Sequence, residues 1–371
     1  MFRYADFHKL VRFAFIYGIR RSLVKALGRL RVGSLTRFLI NPFKFFRKNK
    51  IISVVGCGQF TYATSTFFLV NELGDCIASA YDVDPKALNT YARAYNAKIC
   101  DDFSSILECP ATKVVYIASN HASHTDYAIK CLQNGFDVYI EKPLSVSFQQ
   151  FYSLKSAISN SRNCVYAGYN RPFSKAILEL KSRMVSGPFT LTCSVIGHKI
   201  EAGHWYRNPE EGTRVCGNLG HWIDLAIHLL YSDSGLCNNE FNINITYSNP
   251  KEPDDNFTVT ITTARFDLIV LTLTSREEPY EGICENILFQ QNGLIAKIDD
   301  FRRAEFQVGS KKLVRKYFYK DVGHKKAALQ PFANEKRDFE EVLVSTELML
   351  HIAQMVVNRE CCKKVYLKEV L

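Results

Sequence analysis

From Lys50 onward the apolar positions fall into short continuous runs separated by helix-like periods. KIISVVG is an unbroken β-rich run, the pattern of a strand buried on both faces. It leads into Gly56-Cys57-Gly58-Gln59-Phe60-Thr61, and a helical segment follows to about Leu73. CIASAYDVD predicts a second strand ending at Asp82, PKALNTYARAYN a helix, Ile99-Cys100 a short element and VVYIASN another strand. HASHTDYAIKCLQNG reads as a helix closed by Gly135, and DVYIEKP as a strand that delivers Glu141-Lys142-Pro143 to its C-terminal end. Strands alternating with helices in this way predict a parallel, doubly wound α/β sheet.

After Ser145 the pattern changes. NCVYAGYNRPFS suggests one more strand and a turn, AILELKSRMVSG a helix ended by Gly187, and PFTLTCSVIGHKI alternates like an antiparallel strand. NLGHWIDLAIHLLY (218–231) predicts a helix. Between Phe241 and Phe318, INITYS, FTVTITTARF, LIVLTLTS, ENILFQQ, LIAKIDDF, AEFQVG and KLVRKYF are β-type runs separated by turn-like segments, which predicts an open, mostly antiparallel sheet. The stretch from about Gln330 to Asn358 is helical. The expected organisation is a basic helical extension over 1–49, a dinucleotide-binding domain over 50–165, and a substrate and oligomerisation α/β domain over 166–371. The last helix is expected to be able to pack back on the dinucleotide-binding domain.

Charge changes this picture only at one end. Residues 1–50 hold thirteen Lys and Arg against one acid, Asp6, a net +12, so that residues 51–371 carry about −2. The basic character therefore belongs to the extension, and the near-neutral body gives no argument for nucleic acid. A helix is predicted over about 8–31, broken near Gly33-Ser34. Arg12 and Arg20-Arg21 interrupt the apolar core that a secretory signal needs. Two uses remain: an interfacial membrane anchor, since Phe, Leu, Lys and Arg suit a membrane surface, or a helix packed on the body or another subunit. The twelve cysteines are scattered without a CxxC pair, the usage of reduced thiols in a cytoplasmic setting rather than of a zinc site.

The strongest chemical candidate is the glycine turn. In G-x-G-x-x-G the first glycine makes the tight turn, the second admits a pyrophosphate and the third lets helix and strand pack. Gly56 and Gly58 fill the first two positions and Thr61 the third, with the backbone of Gln59 and Phe60 opening the helix toward an anion. Asp82, at the end of the next strand, is placed to accept from ribose hydroxyls and to repel a 2′-phosphate. NAD is thereby favoured, while Lys86 keeps NADP open and Asp84 is an alternative ribose ligand. Ser119, Asn120 and His124 are candidates for the nicotinamide side, with His121 read as a helix-start residue.

Taken together, VVGCGQF, AYDVDP, VVYIASNHASHTDYAIKCLQNGFDVYIEKPLS, GYNRPFS and GTRVCGNLGHWIDLAIHLL resemble the Gfo/Idh/MocA oxidoreductases, the glucose–fructose oxidoreductase and inositol dehydrogenase group. The resemblance covers roughly residues 50–360. It implies a Rossmann domain joined to an α/β domain whose open sheet often mediates oligomerisation, NAD or NADP as cofactor, and oxidation or reduction of a carbinol on a sugar, cyclitol or sugar nucleotide. It places Glu141 and Lys142 in the family's EKP segment, with Lys142 near the reacting hydroxyl, and makes His221 the proton acceptor or donor. Asp224, one turn on, is placed to orient that ring. Where many members carry an acid before this histidine, this chain has Gly217 and Asn218. Asn218 can position a hydroxyl but cannot take its proton. Asn170, Arg171, Trp205, Tyr206 and Arg214 are the candidate substrate contacts. The resemblance implies a cytoplasmic homo-oligomer that oxidises or reduces a sugar derivative, with surface polysaccharide synthesis as the pathway it suggests; peripheral membrane contact through residues 1–50 stays open beside packing of that segment on the body. The alternative is a non-catalytic dinucleotide-binding sensor or scaffold.

Overall fold

Strand β1 (Lys48–Val55) is the centre from which the first sheet grows. Its residues Ile52, Val54 and Val55 are buried, as the uninterrupted apolar run requires. The computed structural model describes residues 4–40, 48–201, 203–232, 240–249, 251–334 and 336–367, with the side chains of 4–10 and 48 left aside. Lys44 and Arg47, part of the basic run, lie outside the described residues. The chain forms two units: 1–145 with 152–168 and 324–337, and 146–151 with 169–323 and 338–371.

The first unit holds a six-stranded parallel sheet in the order β3-β2-β1-β4-β5-β6. The strands are β2 (Asp75–Tyr81), β3 (Lys98–Ile99), β4 (Val114–Ile117), β5 (Asp137–Ile140) and β6 (Val165–Ala167). The order reverses between β1 and β4, which is where such sheets bind ligands at the carboxyl ends of their strands. After β1 the chain winds first as a π-helical turn, Thr61–Ser65, and then as an α-helix, Thr66–Leu73. That wider turn accommodates Thr61, which is buried where a third glycine was expected. The helix Pro85–Tyr95 has Asp84 as its N-cap, accepting from the Lys86 N–H.

The basic extension folds onto this unit. Helix α1 (Tyr4–Tyr17) stops at Gly18, whose φ of 93° is unsuited to a helix, and α2 (Ile19–Arg29) starts anew. One continuous helix over 8–31 is therefore replaced by two, and the break falls at Gly18 rather than at Gly33-Ser34. A 3-10 turn, Ser34–Leu39, completes the segment. Val24 and Ile40 enter the same core as Ile52, Val54, Tyr62, Tyr91 and Tyr95. Thr36 shares a buried hydrogen bond with the Tyr62 hydroxyl, and the Tyr95 hydroxyl donates to the Tyr62 carbonyl. Burial raises the Tyr62 pKa, an effect the Thr36 bond opposes. Arg21 donates to the Ala63 carbonyl and Thr64 Oγ1, and Arg37 to the Arg93 carbonyl.

The second unit is built on a nine-stranded sheet ordered β14-β13-β12-β11-β7-β10-β9-β8-β15. Strands β8 (Glu240–Tyr247), β9 (Phe257–Thr263) and β10 (Leu268–Thr274) each run antiparallel to the next. Strands β11 (Cys284–Gln291), β12 (Leu294–Asp299), β13 (Arg303–Val308) and β14 (Lys311–Lys316) do likewise. The two halves are joined by β7 (Thr190–Ile196), antiparallel to β11 but parallel to β10. Alternation reports that one face of β7 is covered, not the direction of its neighbours, so the parallel pairing was invisible in the sequence. Strand β15 (Cys362–Tyr366) adds an edge on β8 that the pattern did not suggest. The helix Phe148–Ser159 was likewise not anticipated. The long helix Phe339–Asn358 packs in this unit, where Ser345 donates to Asp224 of the helix Gly220–Leu230. It is the preceding segment, His324–Arg337, that belongs to the first unit.

Gly33 shows how tightly the extension is seated. A Cβ there would stand 2.2 Å from the Thr90 carbonyl oxygen, although its backbone angles suit any residue. Gly33→Ala should therefore destabilise the first unit by about 1–3 kcal/mol, read as a lower melting temperature together with faster proteolysis within residues 30–40. An unchanged melting temperature and cleavage rate would mean that the extension is not packed as described.

Candidate active site

In the first unit the site begins with Gly56, where β1 ends. Its φ is +93°, and a Cβ would lie 2.4 Å from the Ala118 carbonyl oxygen, so only glycine brings the chain this close to the end of β4. Asp82 fixes the turn from the other side. Its carboxylate accepts from the Cys57 N–H at 2.5 Å and from the Asp84 N–H at 2.7 Å. Burial pushes the Cys57 thiol well up, and the nearby Asp82 charge adds to this. Gly58 is the opposite case to Gly56: a Cβ there would meet no atom of the chain within 4 Å. Nothing internal requires this glycine, so the open space beside it is room for a ligand to approach the backbone. The turn fits a dinucleotide pyrophosphate on these grounds, and Asp82, half-exposed and with lone pairs to spare, fits the ribose.

Around the turn, Gln59 points away from this space. Its Nε2 donates to the Lys25 carbonyl of α2 at 2.8 Å. Phe60 is partly exposed, with its ring edge-on to His324. Asp84 pairs with Arg31 of the extension at 3.0 Å. The Lys86 N–H and the Arg31 guanidinium hold its carboxyl below the usual range. The side chain of Lys86 is exposed.

The end of β4 and the EKP turn are tied together by His124. Its Nδ1 lies 2.8 Å from the Pro143 carbonyl oxygen and its Nε2 3.1 Å from that of Ser119, with the ring buried. His124 is thus a positioning residue, fixing the backbone on both sides of the place where Lys142 leaves the sheet. His121 is buried beside it, the rings 6.0 Å apart. Ser119 and Ser123 share a hydroxyl bond at 2.7 Å, and Ser123 also donates to Asn120 Oδ1. Glu141 is buried. It accepts from the Tyr139 hydroxyl and the Lys142 N–H, and its carboxylate lies where a side chain at Gly168 would stand. Lys142 is half-exposed at the carboxyl edge of the sheet, the same edge that carries the Gly56 turn.

In the second unit, a π-helical turn, Val215–Leu219, precedes the helix that carries His221. His221 and Asn218 stand three residues apart and are both half-exposed among buried neighbours, which puts two polar groups on one accessible face. The His221 ring is edge-on to Tyr169 at 5.9 Å. Asn218 Oδ1 accepts from Arg214 Nε at 3.5 Å. Gly217, where many members carry an acid, is buried in the π turn.

The remaining candidates are engaged inside this unit. Arg214 is fully buried, pairs with Asp255 at 3.1 Å and donates to the His198 carbonyl; burial lowers its pKa, while Asp255 opposes the shift. Arg171 forms a buried ion pair with Glu285 and lies over the Trp222 ring. Both arginines, candidate substrate contacts in the sequence, are thus held in buried ion pairs within this unit. Asn170 donates to the Val322 carbonyl and accepts from Arg171. Asp224 is buried with Ser345 as a donor, and its position on the helix turns it toward the neighbouring helix. Trp205 and Tyr206 lie in a short 3-10 turn, Trp205 exposed and stacked on His204. Sequence reasoning missed His204, Asp254, Asp255 and Glu285. Asp254 and Asp255 sit in a segment read as a turn, and only the tertiary fold brings Arg207 and Arg214 to them.

Comparison with known proteins fits this geometry. Residues 50–169 match the oxidoreductase family with an NAD-binding Rossmann fold, Gfo/Idh/MocA. Over this domain, about a third of the chain, the sequence is similar to that family. Inositol 2-dehydrogenase 2 of Saccharopolyspora erythraea is 26% identical over 181 residues, 48% of this chain and 53% of that protein. The chain thus spans about half the length of the curated relatives it matches. Among solved structures, GenD2 from gentamicin A biosynthesis in complex with NAD has a TM-score of 0.70 at 14% identity, covering 86% of this chain and 97% of that one. Levoglucosan dehydrogenase in complex with NADH and L-sorbose has a TM-score of 0.69 at 12% identity, covering 87% of this chain and all of that one. At these identities the likeness is one of fold.

Asp82→Asn removes a charge while keeping an acceptor for the Cys57 N–H. The ratio of NADPH to NADH affinity, measured by nicotinamide fluorescence titration, should shift toward NADPH by about tenfold. An unchanged ratio would remove Asp82 from the ribose site.

Proposed function

We propose that the chain is an NAD-dependent dehydrogenase or reductase acting on a secondary alcohol of a cyclitol, sugar or sugar derivative. The observation that carries this reading is the shared carboxyl edge of the first sheet, where the glycine turn and Lys142 both emerge. NAD supplies the hydride acceptor, or in reduced form the donor. Gly56 and Gly58 let the backbone approach its pyrophosphate, and Asp82 holds a ribose hydroxyl. Lys142, as a cation, stabilises the alkoxide that develops on the substrate oxygen. His221, as a neutral imidazole, takes the hydroxyl proton at a ring nitrogen in the oxidative direction and returns it in the reductive one. Asn218 orients the hydroxyl by hydrogen bonding. The family relatives named as inositol dehydrogenases support a polyol substrate.

A second reading, an NAD-binding sensor or scaffold without turnover, is favoured by Asn218 standing where an acid would assist the histidine. Its side-chain oxygen is directed to Arg214. The two readings separate in one experiment. The purified chain is incubated with NAD and a panel of inositols and sugars while nicotinamide absorbance is followed. Turnover with at least one polyol is expected, with Lys142→Met and His221→Ala each lowering kcat by about 10²–10⁴-fold while NADH affinity is retained. Turnover undiminished in both variants would overturn the assigned roles. NADH binding without turnover on the whole panel would favour the scaffold.

A further inference from the structure

Helix α2 is turned the wrong way round for a helix that merely packs on a domain. At about 100° per residue, Ile19, Leu23, Ala26 and Leu30 fall within a sector of about 60°, with Val24 and Gly28 on the opposite side. Val24 and Gly28 are buried, as is the small Ser22, whose hydroxyl donates to the Gly18 carbonyl. A Cβ at Gly28 would stand 2.7 Å from the Tyr62 ring, so this side is closed against the Rossmann unit. The apolar stripe faces outward: Ile19 is 66% exposed, Leu30 52% and Leu23 37%. Arg20 and Arg29, both exposed, flank it on either side. Neighbouring turns add further large apolar side chains, Phe15 at 71% and Phe38 at 84% exposure. Arg31 and Arg37 are exposed as well, and their bonds to Asp84 and to the Arg93 carbonyl leave other guanidinium donors available.

From this arrangement we propose that residues 11–40, held on the Rossmann unit, form a docking surface for an anionic lipid membrane. An apolar stripe bordered by arginines is suited to lie in the headgroup boundary, the aliphatic and aromatic side chains entering the acyl region and the guanidinium groups meeting lipid phosphates. Charge selects this occupant over a second copy of the chain. Residues 1–50 carry a net +12 with a single acid, so a symmetric dimer through this face would set two strongly positive segments against each other. The exposed hydrocarbon argues against a purely electrostatic partner. Among the described residues no helix is long and apolar enough to cross a membrane, in keeping with a surface-lying mode.

The test uses the full chain with vesicles of phosphatidylcholine, alone or mixed with phosphatidylserine, read by co-sedimentation. Binding to the mixed vesicles should be at least about tenfold tighter than to phosphatidylcholine alone and should weaken with added salt. The combined variant Ile19→Ser, Leu23→Ser, Leu30→Ser should lose about tenfold or more in vesicle affinity while keeping the wild-type melting temperature, because none of the three supports the core. Arg29→Glu alone should weaken binding to the mixed vesicles severalfold, about the effect of adding a repelled charge at the surface. The proposal is overturned if the wild-type chain does not sediment with phosphatidylserine vesicles or if the triple variant, folded as wild type, binds them equally. It is also overturned if the face instead drives self-association that the same three serines abolish.

Discussion

The structure of the first unit turns on one close approach, that of Gly56 to the backbone at the end of β4. The turn leaves β1 where the strand order reverses, and a Cβ at this point would stand 2.4 Å from the Ala118 oxygen. With the chain held there, the Cys57 N–H falls within reach of Asp82 at the end of β2. His124 then links the end of β4 to the Pro143 carbonyl in the EKP turn after β5. The carboxyl ends of four neighbouring strands are thereby fixed relative to one another by a glycine, a carboxylate and an imidazole. Ligand binding at such an edge depends on backbone positions, and these three residues set them.

The extension is part of the same construction. Gln59, immediately after the glycine turn, donates to α2, and Arg31 pairs with the cap of the next helix. Tyr62, Tyr91 and Tyr95 form the aromatic floor on which α2 and the following turn rest. A segment whose sequence reads as an appendage therefore buttresses the cofactor half of the protein. Its residues divide between two tasks: Val24, Ile40, Arg21 and Thr36 face the domain, while Ile19, Leu23, Leu30 and Arg29 face outward.

Much of this was legible in the chain. Continuous apolar runs marked the parallel strands, and the spacing of Gly56, Gly58 and Asp82 marked the turn after β1 and the end of β2, because each depends on local periodicity or on a turn that only glycine can make. What depends on distant partners was not legible. The parallel pairing of β7 with β10 and the added strand β15 follow from chain routing that alternation does not encode. Arg171, Arg214 and Asp224 read as available polar groups, yet Glu285, Asp255 and Ser345 reach them from far along the sequence. The outward stripe of α2 could not be recognised either, since a helical wheel shows an apolar sector but not which side the domain covers. His221, the candidate proton carrier, and Asn218, the candidate that positions the hydroxyl, were found by family resemblance, and their shared accessible face follows from helical spacing.

Gly58 offers the most direct test of the dinucleotide edge, because nothing in the protein itself needs a glycine there. Calorimetric titration of NAD into the wild-type chain and into Gly58→Val, with thermal melting of both, separates ligand from fold. Binding by the wild type, together with a Gly58→Val protein that melts normally but no longer takes up NAD, is the expected result. A wild-type chain that does not bind NAD, or a valine variant that binds it equally well, would contradict the assignment of the glycine turn to the cofactor.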